Sequence, residues 1–209
     1  MLDRERFNRV WRRLGGKTDP QELFSALVKA YAEPHRAYHT IEHIEDCLKQ
    51  FDAARYLAEQ PDEVEMALWF HDAVYDTQAS DNEERSAEWA FNALSAGGIP
   101  PAISRRISDL VLATRHRALP SGRDAQLLSD VDLSILGRSA SAFDQYDRAI
   151  RIEYQWVPEE VYRGARAQVL AEFLQRQSIY QTEHFRRLYE EPARRNLTRA
   201  LARFHHSHD

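Results

Sequence analysis

The chain has 209 residues, of which 43% are hydrophobic, 29% charged and 11% aromatic, with only 7 Gly and 8 Pro. Such a composition excludes collagen-like, low-complexity and disordered chains, and at this length roughly 70% of the unfolded surface is buried on folding. The 28 Lys and Arg against 33 Asp and Glu leave a net charge of -5, which argues against a nucleic-acid polymer as partner.

Apolar residues recur at helical spacing along nearly the whole sequence, and period-two runs of β-branched residues are missing, so the expected fold is all-α. In chain order the predicted helices are Asp3 to Leu14, Gln21 to Ala32, Thr40 to Leu57, Asp62 to Tyr75 and Asn82 to Ser95. Pro101 to Thr114, Asp124 to Leu136, Ser141 to Trp156, Glu159 to Arg176 and Ala193 to Phe204 follow. Pro20, Pro61, Pro101 and Pro158 stand near helix starts, where a missing N–H costs nothing, while Gly15-Gly16, Gly97-Gly98 and Gly137 mark stops. Ile179 to Glu191 reads ambiguously, as an aromatic-rich turn. The histidines at 205, 206 and 208 read as a solvated tail rather than a metal tract. No repeat or long linker divides the chain, so one domain over residues 1–209 is expected.

No segment reaches the roughly 20 apolar residues of a membrane helix, and residues 1–15 lack the apolar centre of a signal peptide. A cytoplasmic protein without a membrane partner is expected. The single cysteine, Cys47, cannot form an internal disulfide and sits on an apolar helix face, where an inert thiol is the ordinary finding.

Chemistry-bearing residues concentrate in three segments. Within Tyr38 to Ile44, His39 and His43 stand four residues apart at a helix start, with His43 on the edge of the stripe Ile41, Ile44, Cys47, Leu48 and Phe51. The helix holding Val64, Met66, Ala67, Leu68, Trp69 and Phe70 is apolar nearly all round and carries His71-Asp72 into low dielectric. A carboxylate there needs a partner: an arginine, a set of backbone amides, or a divalent ion shared with a neutral imidazole. In the third segment Asp132 projects with Leu128, Val131, Ile135 and Leu136, whereas Asp130 falls roughly opposite and reads as a solvated or capping residue.

The order His, His-Asp, Asp on a helical scaffold resembles the HD superfamily of metal-dependent phosphohydrolases. Glu33-Pro34-His35-Arg36 leading to His39 and His43, Trp69 to Asp76, Asn82 to Ser86 and Asp132 to Gly137 are similar to its small stand-alone bacterial branch. The resemblance covers about residues 33–137, with C-terminal helices added over 138–204. It implies a single-domain HD-type helical bundle and one divalent ion, manganese, magnesium, iron, cobalt, nickel or zinc, held by His43, His71, Asp72 and Asp132. It also implies His39 as the acid that protonates a leaving oxygen, although Thr40 stands where the family usually has Asn.

The activity so implied is hydrolysis of a small phosphorylated substrate, a nucleotide or another phosphate ester or anhydride, by metal-activated water. Asp76, four residues beyond Asp72, is the candidate base on the same helical side, with a turn-capping role as its alternative. Arg36 is the candidate phosphate contact, beside Arg115 and Arg117 with His116 between them. Glu83 and Glu84 are candidates to act on the ligands from behind, or are charges favoured by a helix N-terminus. Two other classes stay open: a metal- and nucleotide-binding regulatory module without turnover, and a di-iron HD oxygenase, for which His116 is the only extra histidine between Asp72 and Asp132. Oligomeric state, including a homo-oligomer, is left open.

Overall fold

A computed structural model describes residues 3–116 and 118–205. Among them the only regular secondary structure is helical, with no strand. Ten α-helices run in order: α1 Arg4–Arg13, α2 Gln21–Tyr31, α3 Ile41–Ala54, α4 Pro61–Phe70, α5 Asn82–Ala96, α6 Pro101–Leu112, α7 Arg123–Asp132, α8 Ala140–Glu153, α9 Glu159–Gln175 and α10 Glu183–His205. Short 3-10 turns follow α3, α6 and α7. The helices gather into two compact units, Met1–Ser129 and Asp130–Asp209. No helix among the described residues is long and apolar enough to cross a membrane.

In the first unit α4 is the central element, and α1, α3, α5 and α6 all pack on it. Every residue from Glu63 to Phe70 is buried, as an all-round apolar pattern requires. Two of those residues are glutamates, which the apolar pattern does not advertise. Glu63 takes a two-pronged contact from Arg106, at 2.8 and 2.5 Å. Glu65 accepts from Arg6 Nε at 2.6 Å and is also bonded by Arg55. Buried carboxylates persist only with such partners, since losing one partner costs about 3–5 kcal/mol.

Around α4, the rings of Phe7 and Trp69 lie 5.2 Å apart edge to face, and Phe24 completes the cluster. Trp11, on the buried face of α1, donates its indole N–H to the Thr18 carbonyl at 2.9 Å. Its indole lies against Gly16 and Gly97, where an added Cβ would come within 2.2 and 2.1 Å of the ring. These glycines give the tryptophan room as well as ending helices.

The second unit is organised by α10, which packs on the 3-10 turn Leu133–Gly137 and on α9. Asn196 of α10 donates to the carbonyls of Leu136 and Arg138, each at 2.9 Å. Asp130 is fully buried rather than solvated, and accepts from Gln181 N, Thr182 N and Thr182 Oγ1, each at 2.7 Å. It holds the two residues that precede α10, and the Thr182 hydroxyl it fixes in turn accepts from Phe185 N, one of the first N–H groups of that helix, at 3.4 Å.

The three largest boundary differences from the periodic reading are at α4, α7 and α10. Helix α4 stops at Phe70 instead of reaching Tyr75, and α7 stops at Asp132 before tightening into a 3-10 turn. Helix α10 begins at Glu183, inside the segment read as an irregular turn, and runs through Pro192. Arg117 and residues 206–209, with two histidines of the tail, lie outside the described residues.

Candidate metal centre

His43 and Cys47 stand one turn apart on α3, both buried. Immediately beyond the end of α4, His71 is 1% exposed and Asp72 half-buried. These elements bring three ligating atoms together. His43 Nε2 lies 3.0 Å from His71 Nε2, and Asp72 Oδ2 lies 3.0 Å from His71 Nε2 and 3.5 Å from His43 Nε2. The Cys47 sulfur lies 3.7 Å from His43 Nε2. His43, Cys47 and His71 each offer a ligating atom within 4.8 Å of the others.

The tautomer of His71 follows from its other nitrogen. Nδ1 lies 2.8 Å from the Leu68 carbonyl, an acceptor only, so Nδ1 carries a proton and Nε2 is the nitrogen left facing His43 and Asp72. A histidine that ligates a metal is held in this way, with one nitrogen tied to a carbonyl. Two imidazole nitrogens and a carboxylate oxygen at such spacing bring lone pairs together, and a proton or a cation must lie among them. Ligand atoms about 2.0–2.1 Å from one ion at angles between 90° and the tetrahedral value stand roughly 2.9–3.4 Å apart. The two 3.0 Å separations fall in this range and the 3.5 Å one lies just above it, so these atoms could hold a shared divalent ion.

The turn carrying His71 and Asp72 is held by side chains from several elements. Tyr31, fully buried on α2, accepts from Asp72 N at 3.1 Å and donates to the Trp69 carbonyl at 3.3 Å. The buried Arg36 guanidinium donates to the carbonyls of Asp72 at 2.7 Å, Ala73 at 3.1 Å and His39 at 3.1 Å. It also bonds Glu33 and stacks between the rings of Tyr31 and Tyr75. Ser86 Oγ receives Val74 N at 3.0 Å, and the Asn82 side chain bonds both N–H and carbonyl of Asp76. Helix α4 ends where it does because these groups satisfy the backbone that a further helical turn would have paired internally.

Burial pushes the Asp72 carboxyl upward, but the charges of His71 and His39 and hydrogen bonds from His43 and His71 outweigh it and hold the group well below its ordinary range. Burial and then the Asp72 charge push the Tyr31 hydroxyl well up, so it stays a neutral donor.

Several sequence expectations change with this geometry. Arg36 is not a phosphate contact: its guanidinium is enclosed and committed to backbone carbonyls. Asp76 does not share a helical side with Asp72, because the helix has already ended. It is exposed, and its Oδ1 accepts from Gln78 N at 2.9 Å, the turn-capping alternative. His39 precedes the first residue of α3, so it is not on a helix with His43. Its ring stacks on Tyr75 at 4.1 Å and lies 5.8 Å from the His43 ring.

In the first turn of α5, Glu83 is half-buried and Glu84 pairs with Arg115, while it is Asn82 and Ser86 of that helix that touch the His71–Asp76 turn. Asp132 is the last residue of α7, half-buried, in the second unit. Cys47 was read as inert, although its spacing of four from His43 already placed it on the same face.

His116 follows the 3-10 turn after α6 with a positive φ of 53°, and its Nδ1 lies 3.2 Å from Ser129 Oγ. It lines a cleft of about 750 Å³ in the first unit, walled also by Leu110, Leu119 and Pro120. The charges there are largely matched, with Arg106 on Glu63 and Asp124 accepting from Glu59 N and Gln60 N at 2.7 and 2.9 Å. In comparisons with known proteins, no family model, no curated protein and no solved structure matches the chain.

Proposed function

We propose that the chain is a divalent-metal-dependent phosphohydrolase of the HD type, cleaving a small phosphate ester or anhydride such as a nucleotide. The observation that carries this reading is the convergence of His43 Nε2, His71 Nε2 and Asp72 Oδ2, with the second nitrogen of His71 tied to a carbonyl. Asp132 enters as the fourth ligand from the sequence pattern. A divalent ion supplies two things in such a site, polarisation of a phosphoryl oxygen and a bound water of lowered pKa.

The chain's own groups do the rest. His43 and His71 would offer their Nε2 atoms to an ion once deprotonated there, Asp72 is held ionised, and Tyr31 and Arg36 fix the backbone that aims Asp72. His39, oriented by stacking on Tyr75, is the group proposed to hand a ring proton to the leaving oxygen.

The test is a screen of the full chain, loaded in turn with manganese, magnesium, cobalt and zinc, against p-nitrophenyl phosphates, nucleotides and cyclic dinucleotides, repeated with Asp72→Ala. Metal-dependent phosphate release that disappears in the variant is the expected result. Tight nucleotide binding with no turnover under any metal would assign a regulatory module instead.

A further inference from the structure

We infer that Cys47 is a further protein ligand of this centre, donating a thiolate beside the two imidazoles and selecting a borderline-soft ion, zinc, ferrous iron or cobalt, over magnesium. The inference rests on the metal centre proposed above and adds to it the one donor that decides which ions it prefers. Cys47 lies on α3 four residues after His43, so the two side chains leave the same face one above the other. The sulfur is 3.8 Å from His43 Nδ1 and 3.7 Å from Nε2, and the residue is 2% exposed.

With metal–sulfur and metal–nitrogen bonds of about 2.3 and 2.0–2.1 Å, a sulfur and a nitrogen on one ion stand roughly 3.1–3.6 Å apart. The observed 3.7 Å to Nε2 lies just above this range, and the sulfur is nearly equidistant from both ring nitrogens, so ligation beside Nε2 requires the Cys47 or His43 side chain to rotate. His43, Cys47 and His71 share one small volume. Ligation costs the thiol its proton, which passes to solvent as the sulfur–metal bond forms. Hard oxygen-seeking ions gain little from a thiolate, whereas zinc, ferrous iron and cobalt gain much.

Cobalt titrated into the metal-stripped full chain provides the test. Because Cys47 is the single cysteine, any thiolate-to-cobalt charge-transfer band in the near ultraviolet reports on it alone. The expected spectrum has visible ligand-field bands from the imidazole and carboxylate donors together with that charge-transfer band. In Cys47→Ala the ligand-field bands persist in altered form and the charge-transfer band is lost, with the helical circular dichroism unchanged. Ligand-field bands without charge transfer in the wild type would overturn the inference and make Cys47 an inert core thiol, leaving the metal centre standing. Absence of both sets of bands would overturn the metal centre and this inference together. Since the first readout is on the wild type, a variant that fails to fold leaves the inference decidable.

Discussion

Asp72 and Asp130 are both carboxylates carried away from bulk water, and their surroundings send them in opposite directions. Asp72 faces imidazole nitrogens, whose charge and hydrogen bonds outweigh burial and keep it ionised. Asp130 faces mainly neutral donors, two backbone N–H groups and the Thr182 hydroxyl, with Arg186 as a weaker charge, and burial wins over them, lifting its carboxyl to about 6. The lesson is that burial alone does not mark a functional acid. Three donors from the two residues before α10 converge on Asp130, so it acts as a structural clamp there. Around Asp72 the neighbouring imidazoles are themselves possible ligands, an arrangement that could hold a cation.

The largest effect that would break this contrast is on turnover. Asp72→Ala removes an anionic ligand from the proposed centre, and phosphate release is expected to fall at least about a thousandfold, some 4 kcal/mol in transition-state stabilisation. That exceeds the roughly 10–100-fold typical of groups that only support a ligand. Measured against it, Asp130→Ala is expected to spare turnover per folded molecule while lowering the thermal midpoint.

Next comes Arg36→Ala, which leaves the carbonyls of His39, Asp72 and Ala73 without their shared donor. A loss of about 3 kcal/mol in denaturant unfolding is expected, since hydrogen bonds to charged groups contribute about 1.5–3 kcal/mol each and partly compensate when removed together. Arg36→Lys should recover little, because one ammonium cannot span the same carbonyls. A raised KM with unchanged stability would instead return Arg36 to the role of phosphate contact.

Asp130 sharpens the comparison through pH. Its carboxyl titrates near 3.8 in an unfolded chain and near 6 when folded, so the folded state holds the proton more tightly. The resulting stabilisation is full below about 4 and is lost as pH rises through about 6, up to roughly 3 kcal/mol. Asp72 has the opposite sign: its depressed carboxyl stabilises the fold above the unfolded value and the benefit disappears as pH falls. Asp130→Asn, which does not titrate, should therefore gain stability relative to wild type as pH rises from 4 to 7, because wild type alone loses its low-pH stabilisation over that range; a pH-independent difference would refute the assignment. The smallest expected effect is that of Asp76→Ala, which loses one exposed turn contact. Less than about 1 kcal/mol of stability and no more than about a twofold change in turnover are expected.

Much of the fold was legible because helix formation follows a local period. All ten helices appear where apolar spacing and proline or glycine punctuation placed them, with α10 extending upstream of its predicted start. The boundaries that failed were those decided by distant side chains. Nothing between Phe70 and Tyr75 announces a stop, since the stop is made by Arg36, Tyr31 and Ser86 bonding that stretch of backbone. Asp76 went astray for the same reason, because its placement assumed the helix continued. Of the two readings of Asp130, solvated or capping, the structure has the second, and the sequence could not choose between them because its partners, Gln181 and Thr182, lie about fifty residues away. His43, His71 and Asp72 were legible because polar residues on otherwise apolar faces are conspicuous. Cys47 was passed over because a thiol on such a face looks like ordinary core.

The most direct test of the central claim, that the lone pairs of His43, His71 and Asp72 enclose a divalent cation, is a calorimetric titration of the metal-stripped chain with zinc or cobalt, beside the same titration of Asp72→Ala. One saturable site per chain, weakened at least about a hundredfold in a variant that keeps its helical spectrum, is the predicted outcome. Equal affinity in the two proteins, or no saturable site in either, would contradict it.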